Sequence, residues 1–411
     1  MSAPVPPRAA FQSRDFRLYQ VARFLLVVGL QMQSMAIGWY VYARTHSTVS
    51  LALVGLAQFA PAMLLSLVTG MVADRFDRRG VLVVCYTAVA GCAGALCLLS
   101  QRPELPIWPI YGVLVVLGTA RAFAGPAAQS LVPHLVPAEH FPNAVSWASS
   151  VFQIGTITGP VVGGVIYGAA GATVVFATCA GALALGTLAV LMMHVRTGRM
   201  SQSRASWSTL SAGIRYVWAK KTILGSISMD LFAVLLGGAT ALLPVYAHDI
   251  LHVGPWGLGI LRSAPAIGAA TMAVLLAYRP LQRRTGAIML GCVGLFGVAT
   301  IVFGLSHSFW VSLLALTVLG ASDQVSVVTR LTLVQVQTPP EMRGRVAAVN
   351  MIFIGASNEL GEFESGITAD AFGVVRAVVL GGVGTLVVVA LWTWWFPELR
   401  KLDRVDTVTV T

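Results

Sequence analysis

Charge is scarce in this 411-residue sequence: Asp, Glu, Lys and Arg together make up 10%, against about one-quarter in soluble domains. That scarcity excludes an ordinary water-facing surface. A hydrophobic content of 56% and a mean hydropathy of +0.79 place the chain in a bilayer. Cysteine is also rare. Cys85, Cys92, Cys97, Cys179 and Cys292 all fall in apolar stretches without metal-ligand spacing, and read as small buried hydrophobes. No glycine-rich phosphate loop ending in Lys-Ser/Thr occurs, which argues against ATP as a fuel. There is no strained nucleophile motif and no zinc spacing, so an embedded enzyme is disfavoured. His134, His140, His248 and His252 fall in loops without ligand spacing, and neither a metal nor a cofactor is expected. The stretch through Arg17 is Pro-rich and basic and lacks a short apolar segment with a cleavage site, so the first span is expected to stay in place. The net charge of +11 would suit nucleic acid, but no basic-aromatic patch accompanies it. Basic loops that hold membrane topology account for it instead.

What is abundant is apolar length. With about 20 residues needed per crossing, helices are expected near 18–42, 50–73, 80–100, 106–129, 143–168 and 172–194. A second set is expected near 222–246, 256–278, 286–305, 309–332, 346–371 and 377–396. The fold class is therefore an all-α membrane protein with 12 transmembrane helices in two six-helix pseudo-repeats. Its parts are a tail (1–17), a first bundle (18–194), a linker (195–221), a second bundle (222–396) and a tail (397–411). With the N-terminus inside, 22 of the 27 Lys and Arg residues fall in cytoplasmic segments, which puts both termini in the cytoplasm. In the linker, Trp207, Leu210, Ile214, Val217 and Trp218 recur at helical spacing beside Arg204, Arg215, Lys220 and Lys221. That pattern predicts an interfacial helix.

Segments 114–166 and 316–368 align without a gap at an offset of 202 residues. Leu117-Gly118 meets Leu319-Gly320, Pro137 meets Pro339, Glu139 meets Glu341, and Gly159 and Gly164 meet Gly361 and Gly366. Two parallel six-span repeats are the construction of many secondary transporters, with a site near mid-membrane between the halves. At equivalent places one half reads GTITGPVVGG (155–164) and the other SNELGEFESG (357–366). Gly155, Gly159 and Gly163 step along one helical face, and Pro160 removes a backbone donor, so this helix reads as a close contact or gate. Ordinary small-residue packing is the plainer alternative. Its twin carries Asn358, Glu359, Glu362 and Glu364 inside an apolar span, where carboxylates need a functional reason. Asp230 and Asp323 add two more embedded acids. Against them stands Arg121, expected to face an acid or a wet cavity, with Arg262 and Arg330 snorkelling near helix ends. The excess of acids suggests proton carriage or a cation; the alternative for Asp230 or Asp323 is to neutralise Arg121. Gln31 and Gln33 are candidates for lining a path or for helix-to-helix hydrogen bonds.

The turn GMVADRFDRRG, with Gly70, Asp74, Arg75, Arg78 and Arg79, resembles the loop motif G-x-x-x-D-R-x-G-R-R/K of the major facilitator superfamily, Asp77 replacing the second glycine. GTITGPVVGG is similar to the fifth-helix motif of that superfamily's antiporters, and Arg121 to its membrane-embedded arginine. QMQSMAIGWYVY, GLAQFAPAMLLSLVTGMVADRFDRR, MDLFAVLLGGATALLPVYA and SNELGEFESG resemble the branch that includes enterobactin exporters. The resemblance implies a secondary active transporter of the inner membrane that exports a small, siderophore-like molecule by alternating access, with protons as the coupling ion. Multidrug or macrolide efflux is the alternative within the branch. A non-transporting membrane interaction or signalling protein is the alternative of another class. Substrate identity and oligomeric state are not legible here.

Overall fold

A computed structural model describes residues 6, 8–195, 207–281 and 283–403. Apolar length dictates its elements, because a chain in hydrocarbon must satisfy every backbone N–H and C=O internally. The helices are α1 (Arg14–Thr45), α2 (Thr48–Arg75), α3 (Arg78–Ser100), α4 (Trp108–Leu131) and α5 (Phe141–Leu191). After the linker come α6 (Trp207–Ala219), α7 (Lys221–Leu236), α8 (Gly254–Tyr278), α9 (Thr285–Leu305), α10 (Phe309–Gln337), α11 (Pro340–Phe372) and α12 (Val374–Trp395). Helix α5 is two spans joined at Gly171, whose φ of 81° and ψ of 179° only glycine adopts readily. The same corner recurs at Gly373 between α11 and α12, with φ 88°, at the 202-residue offset.

Two sequence expectations need correction. The seventh span is not one helix: α7 ends at Leu236, and Gly237-Gly238 lead into a 3-10 turn, a short α segment and a π-helical turn, Tyr246–Ile250. Two adjacent glycines and Pro244 explain the break. Helix α10 runs on to Gln337, so Arg330 lies two turns inside it. The linker helix α6 packs on its own unit: Val217 is buried with Val334, Val346 and Val349, and Tyr216 donates to the Gln337 carbonyl at 2.8 Å. Ile214 and Trp218 are exposed. The side chains of Trp207 and Leu210, like Arg204, lie outside the described residues.

Two compact units account for the chain. The first comprises Met1–Arg44, Leu56–Ala205 and Gly254–Gly259, and the second Thr45–Gly55, Ser206–Val253 and Ile260–Thr411. Each therefore takes in the opening turns of one helix from the other half of the sequence. Inside the first unit, Phe16, Tyr19, Leu82, Tyr86, Leu131 and Val190 form the main core. Inside the second, Met229, Met289, Val293, Val388 and Trp392 do the same.

Lipid offers no hydrophobic reason for apolar helices to associate, so close approach at small residues must supply it. Gly118 of α4 and Gly320 of α10 mark the tightest repeat-related contacts. A Cβ added at Gly118 would sit 2.1 Å from the Gln58 carbonyl oxygen of α2, and one at Gly320 would sit 2.0 Å from the Pro265 carbonyl oxygen of α8. The two halves thus place α4 on α2 and α10 on α8 through the same glycine. Gly118→Ala and Gly320→Ala are expected to lower stability by about 1–3 kcal/mol or more through overpacking. Gly112→Ala, on α4 with open space around it, should not. Detergent thermal melts of the three variants check this.

Candidate functional site

In the second unit, α7 presents Asp230 and α10 presents Arg330, 5% and 2% exposed. The Arg330 guanidinium Nη1 donates to Asp230 Oδ2. An ion pair so far from water survives only when each charge answers the other, since desolvation costs several kcal/mol per ion. Arg330 was expected to snorkel from a helix end; the longer α10 buries it instead. Asp323 stands seven residues earlier on α10, two turns away on the same face. It is half-buried, its electrostatic neighbours are Asp230 and Arg330, and among the described residues it has no hydrogen-bond or ion-pair partner. Arg330 thus pairs with Asp230, and Asp323 stands within the electrostatic reach of that pair without joining it. Between them on α10, Ser326 Oγ, Thr329 Oγ1 and Arg330 Nε are buried and unpartnered among the described residues.

The acids of α11 are separated by its helical twist. Glu362 is half-buried and lies against Gly55 of α2, where an added Cβ would be 3.3 Å from its Oε2. Glu364 Oε1 accepts from the Thr368 hydroxyl at 2.6 Å, so a hydroxyl rather than a cation answers it. Asn358 is exposed and donates to the Ile354 carbonyl at 2.9 Å. The side chain of Glu359 lies outside the described residues. Gly361 faces α7, where an added Cβ would fall 2.9 Å from the Val234 carbonyl oxygen, and a Cβ added at Gly366 would fall 2.6 Å from Ala52 Cβ of α2.

In the first unit the glycine stripe of α5 makes the matching contacts. Gly155, Gly159 and Gly163 face Val27, Gln31 and Met32 of α1, with added Cβ atoms 2.7, 2.6 and 3.0 Å from them. A Cβ added at Gly164 would fall 2.6 Å from the Pro255 carbonyl oxygen, and one on Gly259 would fall 2.3 Å from the Pro160 carbonyl oxygen. The opening turn of α8 thus fits against Pro160, whose ring leaves that face of α5 without an N–H. Gln31 is wedged against Gly159, and Gln33 is fully buried with both amide atoms unpartnered among the described residues. Arg121 is exposed and donates to Gln58 Oε1 at 3.2 Å. A neutral amide is its partner, while Asp230, one candidate to neutralise it, holds Arg330.

At the α2–α3 turn, Asp77 adopts φ −59° and ψ 119°, ordinary for any residue, and its Oδ2 accepts from the Gly80 N–H at 2.9 Å. It caps α3 where the family motif has glycine, so the turn survives the replacement. Buried Arg78 reaches both ring nitrogens of His134, at 3.1 and 3.3 Å. Arg79 donates to the Val190 and Leu191 carbonyls at 3.1 and 2.5 Å, where cations are favoured at a helix C-terminus. One turn thereby ties the start of α3 to the ends of α4 and α5. The side chains of Gly70, Asp74 and Arg75 lie outside the described residues.

Comparison with known proteins follows from this geometry. Residues 5–410 match the family described as "Transmembrane secretion effector". The staphyloferrin A transporter of Staphylococcus aureus is 24% identical over 93% of this chain and 96% of its own. The enterobactin exporter EntS of Citrobacter koseri is 27% identical over 90% and 85%, and macrolide efflux protein A of Streptococcus pyogenes is 23% identical over 90% and 92%. Among solved structures, a POT family transporter in complex with 5-aminolevulinic acid superposes with TM-score 0.75 at 12% identity, over 94% of this chain and 97% of that one. A bacterial homolog of the human lysosomal transporter Spinster gives 0.74 at 15%, over 93% and 96%.

Asp230→Asn would leave the Arg330 charge buried and unanswered. Stability should fall by about 3–5 kcal/mol, and replacing both partners (Asp230→Asn with Arg330→Met) should recover much of it. Thermal melts of the single and double variants in detergent measure both effects.

Proposed function

The chain belongs to the transmembrane secretion effector family, with the major facilitator fold, and from that premise we propose that this membrane-spanning transporter is a proton-coupled exporter of a small, siderophore-like molecule. The observation that carries the coupling is the excess carboxylate beside the Asp230–Arg330 pair. Inside a low-dielectric helix packing, two carboxylates against one guanidinium leave a negative charge whose smallest available neutraliser is a proton. Asp323 takes up that proton and releases it as its surroundings alternate between the two sides. Asp230 and Arg330 stay paired and hold α7 to α10. Arg121, at the repeat position of Asp323, is an accessible cation suited to an anionic substrate, with Gln58 orienting its guanidinium.

Export rather than uptake is supported by the relatives named for export and efflux. The chain lies in the inner membrane with both termini in the cytoplasm; the basic turns between spans support that topology. Alternating access proceeds by rocking of the two six-span halves, with the Asp77-Gly80 turn and the Arg78 and Arg79 contacts fixing the ends of α3, α4 and α5. Asp74 and Arg75 belong to that lock, and Glu359 and Glu362 of α11 to the coupling path, on the pattern of their spacing. Macrolide efflux is the second reading, favoured by a relative of that name at comparable identity.

The test uses proteoliposomes with an imposed pH gradient and enterobactin, staphyloferrin A and a macrolide as probes. Substrate movement should dissipate the gradient. In Asp323→Asn, substrate-driven proton flux should fall by about an order of magnitude, the scale of a typical coupling free energy, while substrate binding persists. Transport by wild type that neither uses nor dissipates the gradient would sink proton coupling. Unchanged coupling in Asp323→Asn would move the proton to α11, where Glu359→Gln and Glu362→Gln are the next variants.

A further inference from the structure

Beyond the end of α7 and the break at Gly237-Gly238, the seventh span closes on the π-helical turn Tyr246–Ile250. There His46, from the turn that precedes α2, meets His248 and Asp249. Each of the three offers a ligand atom, and these atoms all lie within 4.8 Å of one another. The imidazoles of His46 and His248 stand edge to face with centroids 5.4 Å apart, and His248 Nδ1 lies 2.5 Å from Asp249 Oδ1. All three residues belong to the second unit.

We propose that His46, His248 and Asp249 bind a divalent transition-metal ion of the zinc class, which clips the α1–α2 turn to the end of α7. Two imidazoles and one carboxylate are a donor set for borderline metals such as Zn²⁺, whereas Mg²⁺ and Ca²⁺ demand oxygen ligands. Three protein ligands leave the fourth tetrahedral position to water, and the exposure of His46 and Asp249 keeps that position open. Tetrahedral ligands about 2.0–2.2 Å from zinc sit about 3.4 Å from one another. From separations within 4.8 Å the wider pairs close by about an ångström, and His248 Nδ1 and Asp249 Oδ1, 2.5 Å apart, open by about as much. The His248 nitrogen that binds the metal carries no proton in the complex.

The backbone holds the imidazoles where a metal can use them. His46 has φ 47° and His252 has φ 51°, the left-handed region in which histidine is over-represented but still uncommon. Each stands two residues before the first residue of its next helix, Thr48 in one half and Gly254 in the other. His252 Nδ1 is 3.0 Å from the His248 carbonyl oxygen, which pins the corner that follows the π turn. Such turns inside helices recur at functional sites.

Function follows from connectivity. The turn at His46 links α1 to α2, while His248 and Asp249 end the span begun by α7, so a bound ion joins two segments about 200 residues apart in sequence. It would slow any step in which the α1–α2 turn parts from α7.

The test is equilibrium dialysis of tag-free full-length protein in detergent against Zn²⁺ after chelator treatment, with metal content read by mass spectrometry. One Zn²⁺ per chain is expected at micromolar free metal, with no competition from millimolar Mg²⁺ or Ca²⁺. His46→Ala and His248→Ala should each weaken binding about tenfold or more, and His307→Ala should not. Zn²⁺ should also raise the melting temperature of wild type, and His46→Ala should abolish that rise. Melting in metal-free buffer confirms that each variant folds, and Asp249→Asn replaces any that does not. Wild type that takes up no Zn²⁺ at about 100 μM, or ligand variants that bind as wild type does, overturns the proposal.

Discussion

Backbone approaching backbone, with nothing but a glycine hydrogen between, is the interaction on which the rest of this fold depends. In water the burial of apolar surface would draw these helices together; in lipid it contributes little, and packing must do the work. Gly118 on α2 and Gly320 on α8 set one pair of crossings. Gly159 on α1 and Gly361 on α7 set another, and Gly164 on α8 and Gly366 on α2 a third. The polar groups acquire their places from these crossings. Arg121 and Asp323 each follow the α4 and α10 glycines by three residues, which puts one near the α2 contact and the other near the α8 contact. A cation in one half and an anion in the other occupy equivalent stations.

The crossings also explain which polar residues are usable. Gln31 and Gln33 look like path residues by composition, yet the approach of α1 to α5 leaves Gln31 wedged and Gln33 enclosed. Arg78 and Arg79 look like loop charges that face water. Instead they reach inward to His134 and to the last carbonyls of α5. Charge position along the chain and charge environment are different quantities, and only the second sets what a residue can do.

The twelve spans, the two repeats and the small-residue stripes were legible because each is a periodic or compositional signal carried by many residues. Helix ends were not, and that error had chemical weight: stopping α10 at residue 332 put Arg330 at a surface, whereas the helix to Gln337 makes it the partner of Asp230. The pairing joins residues 100 apart on different helices, which no local pattern reports. Asp77 shows the converse case. Its departure from the glycine of the family motif cast doubt on the turn, but a negative φ and a free N-terminal amide turn the same residue into a cap. The meeting of His46 with His248 and Asp249 had no sequence signal at all, because it arises where two loops converge.

One feature of α11 bears on how the chain enters its membrane. Among its neighbours α11 is set apart by the carboxylates it carries in an otherwise apolar span. Each carboxylate near a helix centre costs about 2.5–3.5 kcal/mol on insertion scales, and α11 carries Glu359, Glu362 and Glu364. Its neighbours α10 and α12 are strongly apolar. A span carrying such a cost enters hydrocarbon more readily together with apolar neighbours than alone.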